Sequence, residues 1–203
     1  MDHQAIREQI VMYAKRMYDE KLVSATSGNI SIRLPDRKDA FAITPSSESY
    51  PDMTEQRIVI MTIDGEILSC PDGARPSSEW RLHAEMYRAK ANVHAVVHTH
   101  SPYATAFAAI REEIPLILAE MQPWLGGTIE VAPYAALGSI EVARNSVNTI
   151  GKKGACLMAN HGVVAVATNL DLAYVRACYV EDAAKVIHLA RCIGTPHPIE
   201  LRE

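Results

Sequence analysis

Apolar residues recur along this chain in two rhythms. Between residues 3 and 20, Ile6, Ile10, Val11, Tyr13, Ala14, Met17 and Tyr18 return every three or four positions, the stripe of an amphipathic helix. The rhythm then shortens: Ile30, Ile32 and Leu34 alternate with polar neighbours, as in a strand. "AFAITP" predicts a second strand stopped by Pro45, and two more are expected on either side of Asp64-Gly65, a dipeptide suited to a tight hairpin. Pro76-Ser77-Ser78 opens a helix to about Lys90, and "NVHAVVHTH" follows as a buried strand. Residues 102–112 and 139–152 read as helices, and "EIPLIL" and "TIEVAPY" as short strands around a Gly-Gly loop. "ACLMANHGVVAVA" reads as a strand pair turning at Asn160-His161-Gly162, and Asp171 as the cap of a last helix to about Cys192. Strands interleave with helices, yet several neighbouring strands are joined by tight turns. The pattern therefore predicts an α/β protein with a largely antiparallel or mixed sheet and helices packed on its faces.

Composition narrows the class. The chain has 203 residues, no internal repeat and no linker, which predicts one domain over 1–203. Its net charge is −4, with 20 basic and 24 acidic residues well mixed. No Lys/Arg run is dense enough for a nucleic-acid or membrane-surface patch. Cys70, Cys156, Cys178 and Cys192 match neither a disulfide framework nor a metal knuckle, and free thiols suit a reducing cytosol. The opening "MDHQAIREQIVMYAKRMYDE" is charged throughout, unlike a signal peptide. No stretch approaches the roughly 20 apolar residues of a membrane span. A soluble, cytoplasmic enzyme is the expectation.

The candidate chemistry centres on "HAVVHTHS". His98 and His100 lie two apart on the expected strand and share a face, roughly 6–7 Å apart at the usual rise. Two imidazoles so placed can converge on one ion. The apolar run before them implies burial, and buried imidazoles need partners. His94 has the same parity but lies further down the strand, and one straight strand does not deliver three ligands. His161, in the turn of "MANHGVV", is placed to reach a cleft, although a His-Gly turn is also simply a turn. Glu79, in "RPSSEWRLH", adds a carboxylate in the first turn of its helix, where capping and the helix dipole also favour an acid. His83 shares the Glu79 helix face, as another ligand or as a core residue supporting the site.

Serine-rich turns raise a second chemistry. "TSGN" at Thr26–Asn29, "TPSS" at Thr44–Ser47 and "RPSSEW" offer hydroxyls and N–H groups. The last does so at a helix N-terminus, a natural seat for phosphate. Each alone is ordinary turn chemistry. Together, beside three histidines, they suggest a phosphorylated substrate held next to a metal. Neither GxxxxGK[ST] nor GxGxxG occurs, which argues against the familiar nucleotide sites.

In order and spacing, "TSGNISIR", "ITPSS", "PSSEWRLH", "VVHTHS" and "NHGVVA" resemble the class II aldolase/adducin superfamily over nearly the whole chain, nearest its fuculose-phosphate aldolase branch. The resemblance implies a three-layer α/β/α fold around a mostly antiparallel sheet, assembled as a homotetramer. It implies one Zn²⁺ per subunit held by His98, His100 and His161. Glu79 matches the catalytic glutamate, which also ligates zinc when substrate is absent. Phosphate-binding positions map onto Gly28, Asn29, Ser46, Ser47, Ser77 and Ser78. The implied reaction is reversible cleavage of a ketose 1-phosphate to dihydroxyacetone phosphate and a small aldehyde, through an enediolate whose charge the metal stabilises. Glutamate rather than aspartate after Ser-Ser marks the aldolases against the family's epimerases.

Three departures touch the aldehyde end. Ser46-Ser47 stands where the family has threonine-glycine, Ala119 stands near the position of an aromatic tyrosine, and the chain stops at Glu203, short of a tail carrying another tyrosine. An aldolase for 5-deoxyribulose or methylthioribulose 1-phosphate, or a dehydratase or decarboxylase on the same scaffold, are the alternatives. An adducin-like binding protein is disfavoured because all three histidines and Glu79 are present.

Overall fold

The computed structural model describes residues 3–200. In chain order the elements are α1 (Gln4–Asp19), β1 (Asn29–Arg33), β2 (Ala40–Ile43), a short 3-10 turn (Glu55–Arg57), β3 (Val59–Thr62), β4 (Ile67–Ser69), α2 (Trp80–Ala89) and β5 (Ala95–Thr99). Then follow α3 (Pro102–Ile110), α4 (Met121–Leu125), β6 (Val131–Ala132), α5 (Ile140–Ile150), β7 (Ala155–Met158), β8 (Gly162–Ala167) and α6 (Leu170–Ile193). One sheet of eight strands runs in the order β4-β3-β2-β1-β5-β8-β7-β6. Every pairing is antiparallel except β6 with β7.

Strand alternation sorts the core into two layers. Ile30, Ala95, Val97, Val163 and Ala165 face α1, α3, α4 and α6, packing on residues such as Met17, Phe107 and Tyr174. Phe41, Val59, Val96, Cys156 and Val164 face α2 and α5, packing on Leu82, Met86, Tyr87 and Val142. The central strands are thus covered on both sides, the α/β/α arrangement expected.

Most expected elements form, and the exceptions have local causes. "EIPLIL" makes only a single bridge, Ile114 to Ile129, because the chain turns into α4, a helix the pattern did not predict; Gly126, in the left-handed region, ends it. The last helix is capped by Asn169, whose Oδ1 accepts from Leu172 N at 2.8 Å; Asp171 instead accepts a hydrogen bond from the Tyr13 hydroxyl of α1. The chain end at Glu203, read above against the family's tail, lies outside the described residues.

Candidate metal centre

The site forms where β5, the β7–β8 turn and the start of α2 meet. Asn29 pairs with His98 across β1 and β5, and His98 with Val164 across β5 and β8. His98 has the parity of Val96 and points towards α2. His100 lies one residue past the end of β5 and keeps that direction. The turn at Ala159–His161 brings the third imidazole over. Gly162 makes this approach possible: a Cβ there would sit 2.2 Å from the Thr99 carbonyl oxygen and 3.3 Å from the His100 ring.

Glu79 occupies the cap position of α2, with its backbone N–H directed to Ser77 Oγ at 3.3 Å. The loop before it is knitted to the loop after β2 by Ser77 N to Thr44 O at 3.2 Å and Ser46 N to Arg75 O at 2.8 Å. That register carries the Glu79 side chain inward, and the residue is only 5% exposed.

The four side chains meet in one spot. One donor atom from each of Glu79, His98, His100 and His161 lies within 4.8 Å of the others. Glu79 Oε2 is 3.1 Å from His98 Nε2, Glu79 Oε1 is 3.1 Å from His161 Nε2, and the Nε2 atoms of His98 and His100 are 3.0 Å apart. Burial alone would raise the Glu79 carboxyl, but the His98 and His161 imidazoles outweigh it and hold it well below the usual carboxylate range. Burial lowers the His98 imidazole and Glu79 more than reverses that, so it is raised. Burial and the two neighbouring imidazoles push His100 down to about 3.

The donor set fits a divalent cation. His98 Nδ1 lies 2.8 Å from the Val163 carbonyl oxygen and donates to it, so in the neutral ring Nε2 carries a lone pair. That lone pair faces a carboxylate oxygen and another ring nitrogen. Glu79 Oε1 and His161 Nε2 are buried and make no hydrogen bond. Acceptors facing acceptors in a dry site call for a positive centre. Three imidazoles and one carboxylate at these separations suit bonds of roughly 2.0–2.2 Å to zinc or a similar ion.

Beside this cluster a cavity of about 190 Å³ opens, lined by Thr26, Ser27, Gly28, Asn29, Pro45, Ser46, Ser47, Ser77, Ser78, Glu79, His100 and Leu137. All six expected phosphate-binding positions therefore border one space. Among the described residues no Lys or Arg lines it; hydroxyls and N–H groups are its donors. The Gly28 turn is held by the Tyr50 hydroxyl, 3.0 and 2.7 Å from the carbonyl oxygens of Ser27 and Gly28. Gly28 has φ +77°, and a Cβ would meet Val23 at 2.6 Å and the His98 carbonyl oxygen at 2.7 Å, so no larger residue fits.

His94 is outside the cluster, and His83 supports it rather than joining it: its Nε2 lies 2.5 Å from Asn29 Oδ1. The Asn29 amide in turn donates to Glu79 Oε2 at 2.9 Å. Sequence reading missed this link, as it missed Tyr50 and Leu137. The visible signal was the polar set Asn29, Ser31, Arg33 on a strand whose other face is apolar.

A helix-covered sheet with three imidazoles and a buried carboxylate converging beside its central strands defines a metal enzyme. The model of the family described as Class II Aldolase and Adducin N-terminal domain matches residues 8–188. A 5-deoxy-D-ribulose 1-phosphate aldolase of Bacillus thuringiensis serovar kurstaki is 35% identical over 94% of this chain and 87% of its own length. The L-fuculose phosphate aldolase of Escherichia coli K12 is 31% identical over 98% of this chain and 90% of its own. A solved L-fuculose 1-phosphate aldolase superposes with a TM-score of 0.91 at 33% identity, covering 97% of this chain and 91% of that one. The chain belongs to the class II aldolase and adducin family, and with its His/Glu cluster it is a lyase of the class II aldolase kind. No helix among the described residues is long and apolar enough to cross a membrane.

Proposed function

We propose that this protein is a zinc-dependent aldolase that cleaves a ketose 1-phosphate, of the L-fuculose 1-phosphate type, to dihydroxyacetone phosphate and a small aldehyde. The observation that carries the reading is the shared border of the four-residue cluster and the serine-lined cavity. His98, His100 and His161 would hold the ion, with Glu79 as a further ligand until substrate arrives. When bound, such an ion supplies Lewis-acid stabilisation of charge on a substrate carbonyl oxygen.

The chain's own residues do the rest. The phosphate is bound by Ser46, Ser47, Ser77 and Ser78 with the Gly28–Asn29 turn, aided by the N-terminus of α2. That anchoring fixes the reacting carbons relative to Glu79. As the C3–C4 bond breaks, its electron pair moves to C3 and the C4 hydroxyl becomes the aldehyde by giving up its proton, which Glu79 takes up and passes to C3 of the three-carbon half. Condensation runs the same transfers in reverse, with Glu79 removing the C3 proton. His98 Nδ1 donates to the Val163 carbonyl and so holds its ring in one orientation. A homotetramer in the cytoplasm accompanies this reading.

A second substrate is favoured by a specific observation: the Bacillus relative at 35% identity is named for 5-deoxy-D-ribulose 1-phosphate. Assaying cleavage over a panel of ketose 1-phosphates, with metal analysis of the same samples, separates the two. Dihydroxyacetone phosphate must form in either case. Its absence from every reaction would point to a dehydratase or decarboxylase on this scaffold.

A further inference from the structure

Behind Glu79 a line of buried polar atoms crosses the layer between β1 and α2. Asn29 Nδ2 donates to Glu79 Oε2 at 2.9 Å, and Asn29 Oδ1 lies 2.5 Å from His83 Nε2. His83 Nδ1 lies 2.6 Å from Ser31 Oγ, which is 2.6 Å from the Tyr87 hydroxyl oxygen. Asn29, Ser31, His83 and Tyr87 are all at most 2% exposed, so bulk water cannot substitute for any member.

One end of the line dictates every hydrogen in it. An ionised carboxylate only accepts, so the Asn29 amide must turn its nitrogen to Glu79 and its oxygen to His83. His83 Nε2 must then carry a proton. Burial, reinforced by His98, holds the His83 imidazole down to about 3, so the ring is neutral near pH 7 and has one N–H. Nδ1 is therefore an acceptor, the Ser31 hydroxyl must point at it, and the Tyr87 hydroxyl must donate to Ser31. All four hydrogen bonds run in one direction, from Tyr87 to Glu79.

The two Glu79 oxygens are consequently unequal. Oε2 is gripped by the Asn29 amide at 2.9 Å and also faces His98, whereas Oε1 faces only the His161 ring nitrogen, 3.1 Å away. A glutamate's terminal torsion is broad and roughly two-fold, so without the grip either oxygen could present itself. Were His83 in its other tautomer, the Asn29 amide would lose the partner that fixes its orientation. A flipped amide would set its oxygen against the carboxylate.

We propose that His83 is a positioning residue for Glu79: as the Nε2–H tautomer that the carboxylate end of the line dictates, with Ser31 donating to its other nitrogen, it locks Asn29 against flipping, pins Oε2 and leaves Oε1 as the oxygen that carries the proton. This rests on the acid/base role given to Glu79 above. Atoms balance: in cleavage Oε1 takes the proton that the C4 hydroxyl gives up as it becomes the aldehyde and delivers it to C3, whose electron pair comes from the broken C3–C4 bond; in condensation Oε1 takes the C3 proton and returns it to the new C4 oxygen.

The tautomer is read by nitrogen-15 NMR of the zinc-loaded, labelled protein. The expected His83 spectrum is that of a neutral ring protonated at Nε2 from about pH 6 to 9, retained in Ser31→Ala because Asn29 Oδ1 still requires a donor there. In kinetics, His83→Leu is expected to lower kcat by about 10- to 100-fold, the usual range for partners of metal-site ligands, with KM and metal content unchanged. His83→Gln, whose amide can still donate to Asn29, should recover most of the loss. An Nδ1–H ring or an imidazolium in the wild type overturns the proposal, as does equal impairment of His83→Gln and His83→Leu, or metal falling in step with kcat. If His83→Leu does not fold, the wild-type spectrum decides alone, and an Nδ1–H ring or an imidazolium there is equally fatal. Full proton exchange in Glu79→Gln would remove the Glu79 reading and the catalytic half of this proposal with it, while the spectrum would still decide the hydrogen-bond chain.

Discussion

On one side of the cavity His98 and Glu79 are 0% and 5% exposed, while on the serine side of the same space Ser47 and Ser78 stand open to solvent. The difference follows from what each side must do. Buried imidazoles and a buried carboxylate have no water to fall back on, and each unmet group costs about 1–3 kcal/mol or more. That side is therefore built to one geometry, with the His98 ring fixed by Val163, Glu79 by Asn29, and the close approach permitted by Gly162. The serine side can be wetted when no ligand is bound, so its hydroxyls need no permanent partner. On the proposed function, precision is concentrated where protons would move, and accessibility where an anion would enter.

The largest effect that would break this contrast is on metal content. His98→Ala or His161→Ala is expected to reduce bound metal from about one per chain to near zero and to abolish cleavage, as measured by elemental analysis and product assay. Retention of wild-type metal would show that the buried side is not a metal centre. Next in size, Glu79→Gln should keep most of the metal but lower proton exchange at dihydroxyacetone phosphate by about 10²- to 10⁴-fold, followed by loss of deuterium in NMR.

The serine side should respond differently. Ser46→Ala and Ser78→Ala each remove one donor to a charged group, worth about 1.5–3 kcal/mol, so KM for a phosphorylated ketose should rise about 10-fold or more with kcat little changed. A loss confined to kcat would erase the division of labour. For stability, Gly162→Ala drives a Cβ against the Thr99 carbonyl and should cost about 1–3 kcal/mol by urea denaturation, whereas Gly194→Ala, with nothing within 4 Å, should be near neutral.

A separate effect is expected on pH dependence. Burial pushes His83 down to about 3, below its ordinary value of 6.5. Between those values the unfolded chain takes up a proton that the folded chain refuses. The stability this group supports is complete above about pH 6.5 and is lost as pH falls towards 3. His83→Gln should flatten that part of the curve of urea midpoint against pH, and an unchanged slope would show that His83 is not held neutral by burial.

Periodicity made α1, the strands from β1 to β3 and the β7–β8 pair legible, because one burial requirement dominates each. It failed at 113–125, where a short apolar run fits strand and helix alike. There the tertiary path chose a single bridge and then α4. At the site, His98 and His100 were legible as a pair because a strand imposes their shared direction. His161 and Glu79 were legible only as candidates, since each had an ordinary local explanation. Asn29, Ser31 and Arg33 show the limit most clearly: alternation on an antiparallel strand ordinarily turns such residues to water, but here α2 covers that face and buries them.

The sequence by itself determined the rhythm of elements, the chemical types at hand and the pairing of His98 with His100, since these depend on neighbours a few bonds away. Only the tertiary structure decided that His161 and Glu79 close on that pair, that one Glu79 oxygen is held by the Asn29 amide and the other is not, and that His83 points to Asn29. Those facts depend on contacts between residues from 19 (Glu79 to His98) to 82 (Glu79 to His161) apart in sequence, and no local pattern encodes a distance across the sheet.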